Sequence, residues 1–174
     1  MEEKNGFSRP SWDEYFMLSA VMTATRSACL KLNAGAVIVK NKRIISSGYN
    51  GPAPGIPSPF ELGYCRKEKA NVDWSSKSSG HCLSTHAEAN AIIQNHEKDL
   101  TGATMYSLYF PCNECAKLIA SSGIKELVFL KMYREEVPKA EEIFKQARVN
   151  FRQISLPNEK LLQKVSDVIN STKE

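Results

Sequence analysis

Apolar positions near the start of the chain follow a helical spacing. The letters SWDE at positions 11–14 match a helix capping box, so we predict a helix that begins there and runs to about residue 32. Its predicted buried face steps by four, three and four positions, the spacing of one side of a helix. The residues on that face are Leu18, Met22, Thr25 and Cys29.

Short β-rich runs and amphipathic runs then alternate. Two β-rich runs, 35–40 and 43–48, flank Asn41-Lys42 and predict a hairpin. Pro111 suits the first turn of a helix, and Gly123 suits the cap that ends it. The other predicted strands are 105–110, 126–131 and 151–156, and the predicted helices are 85–96, 111–123, 138–148 and one in the tail from Asn158.

This order of elements favours the α/β class, with a sheet that has parallel members and helices on both faces. The length of 174 residues suits a single domain. We place its core at about residues 11–156 and treat residues 157–174 as a C-terminal tail or helix.

Residues 49–80 interrupt the alternation. This stretch is rich in Gly, Pro and Ser and has no clear periodicity. A structureless loop of that length is uncommon in a compact domain unless it is functional, disordered or separately tied down.

Composition narrows the classes of partner. The net charge is only +4, and no run of basic residues indicates a nucleic-acid-binding surface. A small anionic substrate stays possible, because it needs only one or two nearby cations. We find no signal peptide and no apolar run long enough to span a membrane, so we predict a cytoplasmic protein. Five cysteines, an odd number in a reducing compartment, favour metal binding over disulfides.

Two short segments carry the candidate chemistry: THAE at 85–88 and PCNEC at 111–115. His86, Cys112 and Cys115 offer one imidazole and two thiolates, which zinc prefers, and a catalytic zinc keeps a fourth position for water. Both segments lie at predicted helix starts, where free N–H groups favour thiolate over thiol. The alternatives are a structural zinc and a redox Cys-x-x-C pair.

Glu88 lies two residues after His86 and is therefore poorly placed to bind the same metal ion from one helix. It can still reach a water held by that metal, take its proton and pass it to a ring nitrogen and a leaving amine. Together the two segments match H-x-E…P-C-x-x-C, the signature of zinc deaminases.

The chain resembles the deoxycytidylate deaminases, a branch of the cytidine deaminase superfamily, from about residue 12 to residue 156. The matching stretches are GAVIV at 35–39, GYNG at 48–51, HAEANAI at 86–92, FPCNECAK at 110–117 and GIKE at 123–126. The resemblance implies a three-layer α/β/α fold with a mixed five-stranded sheet, and a homo-oligomer, often a hexamer. It also implies hydrolytic deamination of dCMP to dUMP and ammonia, with dCTP and dTTP as effectors. The loop at 53–79 departs from the family.

Substrate contacts are predicted from placement. Asn50 could hydrogen-bond the sugar hydroxyl or serve only as a turn residue, and Ala87 lies between two site residues. Arg26, Tyr133 and Arg134 could hold the 5′-phosphate or be solvated. The candidate allosteric loop comprises Gly48, Tyr49, Asn50 and Gly51.

The remaining cysteines suggest a second zinc. Cys29, Cys65 and Cys82, with His81, could close a structural tetrahedral site that orders the long loop. The alternative is a buried Cys29 and two free thiols.

Two other functions fit the same fold. One is a nucleic-acid editing deaminase that acts on tRNA or single-stranded DNA, which the dispersed charge disfavours. The other is a catalytically inactive zinc scaffold, which the presence of Glu88 disfavours.

Overall fold

A computed structural model describes residues 9–76, 80–96, 99–132, 138–156 and 158–170. The helices are α1 Trp12–Ala24, α2 Pro59–Leu62, α3 Arg66–Lys69, α4 Ala87–Ile93, α5 Asn113–Ser121, α6 Pro138–Ala147 and α7 Asn158–Asn170. The strands are β1 Gly35–Lys40, β2 Arg43–Tyr49, β3 Gly51–Pro52, β4 Ser84–Thr85, β5 Thr104–Tyr109, β6 Glu126–Lys131 and β7 Asn150–Gln153.

The main sheet has five strands in the order β2-β1-β5-β6-β7, so the predicted mixed five-stranded sheet is confirmed. Strand β1 is antiparallel to both of its neighbours, whereas β5, β6 and β7 are parallel. The predicted hairpin joins β1 to β2 through Asn41 and Lys42, which have φ angles of 51° and 59°. Positive φ at both central residues is the geometry of a type I′ turn, whose twist matches that of the strands.

Side chains of alternate residues in the central strands pack into two hydrophobic cores, one on each face of the sheet. Ala36 and Ile38 of β1 face the core under α4, α5 and α6. Val37 and Val39 face the core under α1. This period of two is the pattern of a strand buried on both sides, and it gives the three layers that the sequence predicted.

Helix α1 is shorter than predicted and buries a different face. It ends at Ala24 rather than near residue 32, because bonds from the backbone N–H groups of the next residues to carbonyls three positions back tighten and close its last turn. Met22, assigned to the buried face, is 65% exposed. The buried residues are Phe16, Met17, Ala20 and Ala24.

Small residues explain that choice of face. Helix α1 packs so closely on β1 that a methyl group at Gly35 would overlap the carbonyl oxygen of Ala20 and the amide nitrogen of Ala24. Because α1 ends at Ala24, Cys29 lies beyond the helix, in the segment that leads to β1.

The stretch 49–80 is more ordered than its composition predicts over the part that the structure describes. Helix α2 begins with a capping box between Ser58 and Glu61, and helix α3 follows within a few residues. Strands β3 and β4 pair antiparallel, with Gly51 opposite Thr85. The ladder ties both ends of the stretch together immediately before His86.

Other boundaries shift by a few residues. The helices predicted at 85–96 and 111–123 are α4 and α5, which begin later because His86 and Cys112 are extended N-cap residues with ψ angles of 156° and 169°. The last strand is β7, not 151–156, and the helix predicted at 138–148 is α6. Gly123 has φ of 86°, as its predicted capping role requires, and the predicted tail helix is α7. Within the described ranges, no helix combines the length and apolarity needed to cross a bilayer.

Helix α4 is anchored directly on β2. The Ser46 hydroxyl donates to the Ala91 carbonyl at 2.6 Å, and the Asn90 amide donates to the Tyr49 carbonyl at 2.8 Å. A methyl group at Gly48 would overlap the backbone of α4 at Ala87 and Ala91. The first turn of α4 is therefore positioned by the absence of a side chain on β2.

We expect Gly48→Ala to lower the free energy of unfolding by about 1–3 kcal/mol, because backbone atoms on both sides must move. Urea denaturation measures the change. Ser47→Ala, at an exposed neighbouring position of β2, is the control and should change stability by less than about 0.5 kcal/mol. Equal effects of the two substitutions would contradict the close packing described for α4.

Candidate active site

One imidazole and two thiols meet where α4 and α5 begin. The Nδ1 atom of His86 lies 3.5 Å from the Sγ atom of Cys112 and 3.4 Å from that of Cys115. All three ligand atoms lie within 4.8 Å of one another. The three residues predicted as zinc ligands are therefore brought together.

The spacing suits a tetrahedral zinc ion. Zinc–nitrogen bonds of about 2.0 Å and zinc–sulfur bonds of about 2.3 Å place the N and S atoms of a tetrahedron about 3.5 Å apart. Burial is graded across the site, from the buried Cys115 through the half-buried Cys112 to the exposed His86. The ligand set is therefore closed on the protein side and accessible from the other.

The pKa values of the two thiols are shifted in opposite directions. The pKa of Cys112 is lowered because its thiolate accepts hydrogen bonds from the Cys115 thiol and from His86. The pKa of Cys115 is raised, first by that same bond to Cys112 and then by burial. Hydrogen bonding to Cys112 also raises the pKa of His86. The shared hydrogen bond thus favours the thiolate at Cys112 and opposes it at Cys115, and binding of a metal requires both thiols to lose their protons.

Glu88 lies in the first turn of α4, where it is only 6% exposed. Burial raises the pKa of its carboxyl, since desolvation penalises the charged form. The hydroxyl of Ser107, on β5, lies 3.2 Å from Oε1 of Glu88 and donates to it. This contact orients a carboxylate that sits beside the ligand set without belonging to it.

Sequence reasoning missed Ser107. The residue is 1% exposed and stands between apolar neighbours on a core strand. A lone serine facing inward from such a strand is a signal that a polar partner is buried opposite it. The partner could not be identified from the sequence, because it lies on another element.

A pocket opens from the ligand set toward the long loop. His86, Glu88 and Cys112 line one end. Its walls also include Ala87 and Asn50, which the sequence predicted, and several residues that it did not. The additional residues include Lys31, Leu32, Lys67, Trp74, Tyr109 and Phe110.

Comparison with known proteins identifies the kind of site this is. Residues 10–131 match the model of the cytidine and deoxycytidylate deaminase zinc-binding region. The chain belongs to the cytidine and deoxycytidylate deaminase family. As a member of this zinc-binding deaminase family it has zinc as its cofactor, and the donor set of His86, Cys112 and Cys115 suits that ion.

Relatives within the family are close in sequence. The deoxycytidylate deaminase of Mycobacterium phage D29 is 44% identical over 126 residues, which cover 71% of this chain and 98% of that protein. The human deoxycytidylate deaminase is 40% identical over 145 residues, which cover 81% of this chain and 78% of that protein. A crystal structure of the dCMP deaminase from cyanophage S-TIM5 in complex with dCMP and dUMP has a TM-score of 0.67 and 24% identity, and the match covers 85% of this chain and all of that one. This structural likeness shows the deaminase fold.

Asn50 lines the pocket of this family member, but its amide also holds the scaffold. Its Oδ1 accepts from the Ala34 N–H at 2.9 Å, and its Nδ2 donates to the Leu32 carbonyl at 2.8 Å. These bonds shape the wall of the pocket between β2 and the segment before β1. A contact with the substrate's sugar would use the remaining donor or acceptor and stays a prediction.

The three residues predicted to contact the phosphate remain predictions. Arg26 is exposed, lies beyond the end of α1 and is not among the residues that line the pocket, so its contact with the phosphate stays a prediction. Only its predicted place on the first helix was wrong, because α1 ends two residues earlier, at Ala24. Tyr133 and Arg134 lie outside the described residues.

The predicted second zinc site is only partly assembled. Cys29, Cys65 and Cys82 line both the active-site pocket and a smaller pocket, whereas His81 lines a separate depression. Across the described ranges, His86, Cys112 and Cys115 form the only group of three or more such ligands within 4.8 Å of one another. The second zinc stays a prediction.

Proposed function

We propose that this chain converts dCMP to dUMP and ammonia by hydrolysis. The observation that carries the proposal is a buried general base, Glu88, beside a zinc ligand set at the end of a pocket. Several relatives that cover most of this chain are deoxycytidylate deaminases, which supports dCMP as the substrate.

The reaction replaces the 4-amino group with oxygen. Water adds to C4 of the cytosine ring, the bond from C4 to the amino nitrogen breaks, and ammonia leaves as the C4 carbonyl forms. When bound by His86, Cys112 and Cys115, zinc supplies a Lewis acid that brings the pKa of water down to about 7.

Glu88 moves the protons of this reaction. Its carboxylate takes a proton from the attacking water and delivers it to ring nitrogen N3. It then takes a second proton from the hydroxyl now on C4 and passes it to the leaving amine. A carboxyl whose pKa is raised by burial suits this work, since it must both accept and return a proton near neutral pH. The Ser107 hydroxyl holds one carboxylate oxygen in place during both transfers.

A substrate panel tests the proposal. Ammonia release is measured with dCMP, dCTP, deoxycytidine, cytidine, cytosine, single-stranded DNA and tRNA at equal concentration of reactive base. We expect the highest kcat/KM for dCMP. Turnover of DNA or tRNA without turnover of dCMP would replace the proposal with the editing function, and a folded, zinc-loaded protein inactive on all of them would indicate a scaffold.

We also propose regulation by dCTP and dTTP through Gly48, Tyr49, Asn50 and Gly51. Support comes from the β3–β4 ladder, in which Gly51 pairs with Thr85 directly before His86. A displacement of this loop by an effector would therefore be passed to a zinc ligand. Rate measurements at fixed dCMP should show activation by dCTP and inhibition by dTTP.

The proposed assembly is a homo-oligomer, with a hexamer favoured. Apolar side chains project from α1 and from the long loop: Met22 is 65% exposed and Phe60 is 75% exposed. Exposed apolar groups of this size are typical of surfaces that a partner covers.

Sedimentation at micromolar concentration should accordingly show a species larger than one chain. Phe60→Glu should shift the distribution toward smaller species, because a carboxylate buried at an apolar contact is costly. A wild-type protein that sediments as a monomer would refute the assembly.

A further inference from the structure

The pocket must hold a nucleotide in one orientation. If the proposed deamination is correct, C4 of the ring faces Glu88 and the zinc ligands. The 5′-phosphate is at the far end of the nucleotide, so it points away from them toward the mouth of the pocket. An anion there requires a cation whose charge is not already neutralised.

Two lysines line the pocket, and only one of them is paired with a carboxylate. The ammonium of Lys31 lies 2.6 Å from a carboxylate oxygen of Glu68, so its charge already has a counter-ion. Lys67 forms no ion pair with any carboxylate in the described part of the chain. Of the two, Lys67 is the one whose ammonium has no carboxylate partner among the described residues.

Lys67 is also held in position. Its ammonium donates to the carbonyl oxygens of Trp74 at 3.0 Å and of Ser76 at 2.7 Å, which are neutral acceptors. An ammonium has three donors, so one remains after these two bonds. Two fixed bonds on a half-buried side chain reduce the conformational freedom that binding would otherwise remove.

We propose that Lys67 binds the 5′-phosphate of the substrate and thereby selects a nucleotide over a nucleoside. The inference rests on the proposed deamination for the orientation of the ligand. Lysine is a common phosphate ligand and acts as a point charge, which one donor directed at a phosphate oxygen satisfies. Lys67 thus has the phosphate-binding role that the sequence had suggested for Arg26.

The test compares Lys67→Met with the wild type on dCMP and on deoxycytidine, which lacks the phosphate. We expect kcat/KM for dCMP to fall on the order of 10- to 100-fold, mainly through KM, since a hydrogen-bonded charge is lost. The value for deoxycytidine should change by less than about threefold, as uniform binding of the phosphate predicts. Lys67→Arg, which keeps the charge, should recover most of the preference for dCMP.

Lys69→Met is the matched control. Lys69 lies on the same short helix, but its ammonium sits over the ring of Tyr64 and it lines a separate depression. This substitution should leave both substrates unaffected. Equal losses on dCMP and deoxycytidine for Lys67→Met would show that Lys67 only holds the loop, and an unchanged dCMP value would also overturn the proposal.

Binding separates this inference from the proposed function. The affinities of wild type and Lys67→Met for dUMP and for deoxyuridine are measured by calorimetry. If the wild type turns over none of the substrates, the proposed function fails. Lys67 is still supported if its loss weakens dUMP alone, and is refuted if dUMP and deoxyuridine are weakened equally or not at all.

Discussion

Glu88→Gln should reduce the turnover of dCMP by roughly 10²- to 10⁴-fold while the protein keeps its fold and its zinc. The amide is nearly the same size as the carboxyl and can still accept a hydrogen bond from Ser107. It cannot take a proton from water or return one to the leaving amine. The effect should therefore fall on kcat, because only the proton transfers are lost.

The measurement is steady-state ammonia release, with zinc content determined on the same preparation. Ser107→Ala is a useful companion variant, since it removes the group that orients Glu88 but leaves the carboxylate in place. It should lower kcat far less than Glu88→Gln does. Near-normal turnover by a zinc-replete Glu88→Gln enzyme would exclude the role assigned to this residue.

Cys112→Ser should remove the catalytic zinc and with it essentially all activity. A hydroxyl is a poor zinc ligand compared with a thiolate, and the remaining ligands, His86 and Cys115, are too few for a stable site. Metal analysis of the purified variant should give one zinc per chain fewer than the wild type. Addition of zinc to the assay should not restore turnover.

Cys65→Ser is the matched control, since Cys65 is another half-buried thiol outside the catalytic set. If the wild type binds a single zinc, activity should be largely retained, because the substitution then removes no metal that orders the long loop. If the predicted second zinc exists, the wild type binds two zinc ions and this variant binds one. If the wild type binds one and Cys65→Ser also binds one, the second site is refuted while the catalytic site stands. Full zinc content and activity in Cys112→Ser would contradict the assignment of the ligands.

The catalytic residues could be predicted because their signals are local. His86 with Glu88, and Cys112 with Cys115, are each close in sequence, and each pair lies at the start of a helix whose beginning can be recognised. Ligand chemistry then limits what such a combination can bind. The same locality explains the hairpin at Asn41-Lys42, where two turn residues and two flanking strands are contiguous.

The face of α1 that is buried was predicted wrongly, because it depends on a contact with a strand that is distant in sequence. The buried face of α1 depends on its contact with β1 at Gly35, which no periodicity within the helix reveals. Apolar residues occur on more than one side of α1, so spacing alone selected Met22 in place of Met17. A sheet partner decided the face of the helix.

The pocket wall was hidden for a similar reason. Lys67 and Trp74 come from the segment whose composition resembled an unstructured loop, and they reach the pocket only because of α3 and the bonds to the Trp74 and Ser76 carbonyls. Ser107 approaches Glu88 across the gap between β5 and α4. These contacts join residues that are distant in sequence or lie in irregular backbone, where pattern carries little information.

We propose above all that this chain uses zinc to deaminate a free cytosine nucleotide. The most direct test follows dCMP and dUMP by chromatography, together with ammonia, for zinc-loaded protein, protein stripped by a chelator, and stripped protein to which zinc has been returned. We predict that dUMP and ammonia form in equal amounts, that stripping abolishes both, and that one equivalent of zinc per chain restores them. Turnover that survives complete removal of the metal, or a zinc-loaded protein that leaves dCMP unchanged, would contradict the account.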